Sequence, residues 1–124
     1  MMSKASAMPD TPILEISRLT EIFEDDTEGI ADLLDAAMVT GASHQHALRE
    51  GISQQHLESV MRAAHAIKGS SANIGGNEVA AVAGRIEAAA RAQTWEGIAT
   101  DADALDAAYE RLRGAVAAYR ASLA

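Results

Sequence analysis

Apolar positions along the chain recur at intervals of three and four, and no segment alternates with period two long enough to make a strand. The clearest stripe is the last: Ile98, Ala102, Leu105, Tyr109, Leu112, Val116, Tyr119 and Leu123, the seam of a bundle helix. Ahead of it, Ile13, Ile16, Leu19, Ile22 and Phe23 predict a short amphipathic helix over 13–23. Asp26 then caps a long helix carrying Ile30, Leu33, Leu34, Ala37, Met38, Gly41, Ala47 and Leu48 to about Arg49, with EGIS (50–53) as the break. A third helix starts near 53–55, carries Leu57, Val60, Ala64, Ile67, Ser71 and Ile74 inward, and ends at Gly75-Gly76. Asn77 caps a fourth with Val79, Val82 and Ile86 inward; Gln93-Thr94 breaks it, and Thr94 caps the last. The pattern predicts an all-α fold, an antiparallel four-helix bundle with a short additional N-terminal helix. Residues 1–12 lack periodicity, hold both prolines and read as a flexible tail before one domain over 13–124.

Aromatics are only 3% of the residues, so Ala, Leu, Ile and Val must fill the core, which suits closely packed helices. The absence of cysteine excludes disulfides and thiolate metal sites and fits a reducing compartment. A net charge of −8 argues against nucleic acid as a partner. No apolar run approaches a membrane span and no signal peptide is evident, so a soluble, cytoplasmic protein is expected. The acidic runs Glu24-Asp25-Asp26 and 101–106 read as caps and a solvated face.

The third helix holds the one stretch where chemistry outweighs packing, AHAIKGSSANIGG (64–76). At 100° per residue, His65 points about 140° away from the core stripe, flanked on the wheel by Met61, Lys68, Gly69, Ala72 and Gly76. A glycine inside a helix costs about 1 kcal/mol relative to alanine. Gly69 is not at a helix end, so its natural explanation is close approach of another surface. An outward imidazole, a cation one turn on and a clearing describe a nucleophile that a partner must reach, with Lys68 balancing the charge of a transferred phosphoryl group. Chelation by the four histidines is the competing chemistry. His44 and His46 point to opposite sides, as do His56 and His65, so metal binding is not expected and the other three histidines read as solvated surface residues.

HAIKGSSANIG followed by NEVAAVAGRIE resembles the histidine phosphotransfer (HPt) domain, whose motif is His-x-x-Lys-Gly-Ser-(Ser/Ala) with a later Gly and Leu-Glu. His65, Lys68, Gly69, Ser70, Ser71, Gly75 and Ile86-Glu87 match it; Val79 and Ile86 replace the usual leucines. The resemblance implies that His65 accepts a phosphoryl group through Nε2 from a receiver-domain aspartate and returns it to another receiver, assisted by Lys68, with Gly69 granting access. It also implies that Glu87 faces the histidine from the next helix and accepts a hydrogen bond from its Nδ1–H, fixing the tautomer that presents Nε2, while Ser70 and Ser71 serve packing. No nucleotide loop is present in the sequence, which fits a phosphocarrier with no kinase activity and no cofactor of its own, the receiver supplying Mg²⁺. Docking is expected on the second and third helices through Met61, Ala72, Gly76 and Met38, by a monomeric and stand-alone chain. A receiver-binding scaffold, or a transfer domain cut from a hybrid kinase, are the alternatives.

Overall fold

The structure, a computed structural model, describes residues 13–123; the predicted tail over 1–12 lies outside them. Five helices follow in order: α1 (Ser17–Phe23), α2 (Thr27–Ser53), α3 (Leu57–Asn73), α4 (Asn77–Arg91) and α5 (Ile98–Ser122). Short connections force successive long helices antiparallel. Each packs on its chain neighbour and α5 closes back on α2, so the four form a ring with α1 laid against α2.

The core is built from the predicted stripes: Leu34 and Leu48 of α2, Val60 and Ile67 of α3, Val79 and Ile86 of α4, and Leu105 and Leu112 of α5 are all buried. Small residues let the backbones close. At Gly41, an added Cβ would lie 2.8 Å from Cε1 of Tyr109, the largest fully buried side chain. Ion pairs across α2 and α5 reinforce their register: Arg49 meets Asp103 and Asp106, and Arg120 meets Asp32 and Asp35. The 101–106 run is therefore more than a solvated face.

Several boundaries differ from the sequence expectation, each for a local reason. Residues 13–16 are not helical. Glu15 instead donates its backbone N–H to the Gly75 carbonyl at 2.8 Å and accepts from the Asn77 amide at 2.8 Å, strapping the α3–α4 turn. Asn77 therefore opens α4 as its first residue, with Gly76 in the cap position. Gly75 has φ +80°, and the Glu15 carbonyl sits where its Cβ would be.

EGIS is no break, since α2 continues to Ser53. Gly51 is buried within the helix, where a Cβ would lie 3.0 Å from Cγ2 of Val60, so this glycine serves helix approach. The turn falls at 54–56, and His56 caps α3 by accepting from the Ser59 N–H at 3.3 Å. Asp26 does cap α2, accepting from the Gly29 N–H at 3.0 Å. Thr94 does not cap α5; its hydroxyl accepts from the Glu96 N–H, and Gly97, at φ +84°, precedes Ile98.

Candidate functional site: the α3–α4 face

Helical phase puts Ala64 and Ile67 into the core and turns His65 outward, its side chain 64% exposed. Facing it is Glu87 of α4. Its phase follows Val79, Val82, Ala83 and Ile86 inward, which leaves its carboxylate only 5% exposed. Glu87 and Ser71 are the buried polar side chains among the described residues. A buried carboxylate needs partners, and this one has three. His65 Nδ1 lies 2.8 Å from Oε2, Lys68 Nζ lies 2.8 Å from Oε1, and Arg91 reaches Oε2 with Nη2 at 2.8 Å and Nε at 3.1 Å.

The Lys68 stem crosses α4 at Gly84, where an added Cβ would stand 3.5 Å from Cδ, an ordinary contact. The Lys68 hydrogen bond, ahead of those from Arg91 and His65, holds the Glu87 pKa down to about 2 against the opposing effect of burial. An ionised carboxylate only accepts hydrogen bonds, so the Nδ1 of a neutral His65 carries the proton and Nε2 presents a lone pair to solvent.

Gly69 is exposed, and a Cβ added there would meet nothing within 4 Å. No surface among the described residues approaches it, so the clearing faces outward. Met61 and Ala72 are half-buried on α3, and Met61 lines a groove with Leu57, Glu58, Ala90, Arg91 and Gln93. Two expected neighbours are not there. Gly76 is buried, with a Cβ position 3.1 Å from Leu112 Cδ2, so it cannot be a docking residue. Met38 lies two turns before Gln45, which bonds Asp106 and Arg113 of α5, so it faces α5 rather than the His65 face. The side-chain contacts of His65 and Lys68 are made with α4.

Arg91 was not anticipated from the sequence. Its only local signal was the spacing of four from Glu87. The other histidines stay apart from this site. His56 is a cap, His46 lies 4.0 Å from Glu50, and His44 buries an Nδ1 with no hydrogen-bond partner among the described residues. No group of three or more His, Cys, Asp or Glu among the described residues could hold a metal ion.

The Hpt domain family model matches residues 18–115. The chain belongs to the Hpt domain family. The fold is that of the histidine-containing phosphotransfer protein B (HptB) from Pseudomonas aeruginosa PAO1, whose crystal structure superposes with a TM-score of 0.83 at 19% identity, covering 90% of this chain and 96% of that one. No curated protein sequence matches the chain. Hpt domains carry phosphoryl groups on a histidine in two-component signalling and interact with receiver domains. Among the described residues, no helix of this Hpt domain is long and apolar enough to cross a membrane.

Proposed function

We propose that this Hpt domain is a phosphorelay intermediate: His65 takes a phosphoryl group from the aspartyl phosphate of one receiver and gives it to the aspartate of another. The observation that carries the reading is the pairing of an exposed imidazole with a buried, ionised carboxylate on the next helix, which fixes Nδ1 and frees Nε2. Nε2 attacks phosphorus, an N–P bond forms, and the P–O bond breaks with its electron pair leaving on the receiver's aspartate. The ring retains its Nδ1 proton and takes on positive charge, which the Glu87 carboxylate stabilises at Oε2.

Lys68 neutralises charge on the phosphoryl group, and the receiver brings Mg²⁺ and its own acidic pocket. Little is left for the Hpt domain except positioning and charge, which are the main terms in phosphoryl transfer. The open space at Gly69 admits the receiver, with Met61 and Ala72 flanking the histidine. A methionine there suits a surface that accepts more than one partner. The test is a pair of transfer reactions, from one phosphorylated receiver to this protein and from the phosphoprotein to a second receiver. Label that enters but passes to no other receiver would leave a phosphate sink in place of a relay.

A further inference from the structure

The buried carboxylate of Glu87 carries one negative charge and is held by two cations, Lys68 on Oε1 and Arg91 on Oε2, besides the His65 N–H. We propose that Arg91 is a positioning residue: it keeps Glu87 paired and aligned on Nδ1 so that Lys68 can leave Oε1 and follow the phosphoryl group onto His65. The inference rests on the phosphocarrier reading above and concerns how the cations divide their work.

The two cations differ in a way that suits the division. Arg91 lies four residues after Glu87 on the same helix and engages one oxygen through two nitrogens, the fixed fork of a guanidinium. Lys68 reaches across from α3 on a flexible stem with a single contact, and its side chain is 46% exposed. It also stands one turn beyond His65, so rotation of its last bonds brings the ammonium towards the space over Nε2. A carboxylate only 5% exposed is costly to leave without a counter-ion. With Lys68 as its sole cation, Glu87 would hold the lysine back; with Arg91 in place, the lysine is free to move. Transfer then proceeds with atoms balanced as described above: Nε2 gains phosphorus, the departing oxygen keeps its electron pair, and Nδ1 keeps its proton against Oε2.

Phosphoramidate, a small donor that needs no receiver, isolates this step from docking. Phosphohistidine formation is followed by ³¹P NMR in wild type, Arg91→Met, Arg91→Lys, Glu87→Gln and the Glu87→Gln/Arg91→Met double variant, with helicity checked by circular dichroism. Arg91→Met is expected to slow formation about tenfold, and Arg91→Lys to restore most of the rate. In the Glu87→Gln background, where the amide needs no counter-ion, losing Arg91 should change the rate by no more than about twofold. Wild-type rates in Arg91→Met, or an equal loss in both backgrounds, would overturn the proposal, the latter because Arg91 would then act without Glu87. Failure of receiver transfer alongside these phosphoramidate results would sink the relay reading and leave the division of labour standing. A wild-type protein that takes no phosphoryl group from phosphoramidate would overturn both.

Discussion

Replacing Glu87 by glutamine should remove a pH-dependent part of the stability that its ion pairs supply. The Lys68, Arg91 and His65 contacts hold the carboxyl pKa at about 2 in the folded protein, against an ordinary glutamate value of 4.5. At about 1.4 kcal/mol per tenfold change in proton affinity, the full difference corresponds to about 3 kcal/mol. Lys68 and Arg91 are 46% and 57% exposed, so solvent screens both pairs and about half of that, roughly 1.5 kcal/mol, is the better expectation. Because the folded value is depressed, this contribution is complete above pH 4.5 and is lost as the pH falls towards 2. Urea unfolding of wild type and Glu87→Gln at a series of pH values isolates it, since the other carboxyl groups titrate in both proteins. The gap should be about 1.5 kcal/mol above pH 5 and close by about pH 2. A gap that stays constant across that range would refute the assignment of ionised, paired Glu87.

Gly69→Leu separates access from folding. Its Cβ enters open space and leucine is the better helix former by about 0.8 kcal/mol, so the melting temperature should hold or rise while transfer from a receiver falls at least about tenfold; unchanged transfer would mean that the glycine does not serve access. Gly41→Ala should behave oppositely, destabilising by about 1–3 kcal/mol through collision with the buried Tyr109 ring while phosphotransfer per folded molecule is kept. Denaturant midpoints and transfer rates on the same samples check both variants.

Much of this fold follows from periodicity. The α5 stripe is uninterrupted from Ile98 to Val116: its predicted positions over that span are buried, joined by Ala108, while Tyr119 and Leu123 at the end are only partly covered. The boundaries that moved did so where one local signal has two physical meanings. A glycine such as Gly51 ends a helix or lets another helix approach, and only the neighbour, here Val60, decides between them. Likewise Asn77 and Thr94 carry cap chemistry, but Glu15 claims the first side chain and a turn claims the second.

At the site, helical phase was enough to turn His65 outward and to mark Gly69 as a clearing. The contact of His65 with Glu87 spans 22 residues and depends on how α3 and α4 align, which periodicity does not encode; family resemblance supplied it. Arg91 lay in plain view as a helical neighbour of Glu87. Its part became visible only once burial of that carboxylate showed how much counter-charge it requires. Gly76 misled because the wheel continues past Asn73, where the helix itself stops.

The central claim is that His65 Nε2 carries the phosphoryl group. Incubation with a ³²P-phosphorylated receiver and Mg²⁺ should transfer acid-labile, base-stable label to the wild-type protein within short times. His65→Gln, with unchanged helicity, should take up none. Label of that kind persisting on His65→Gln would contradict the account.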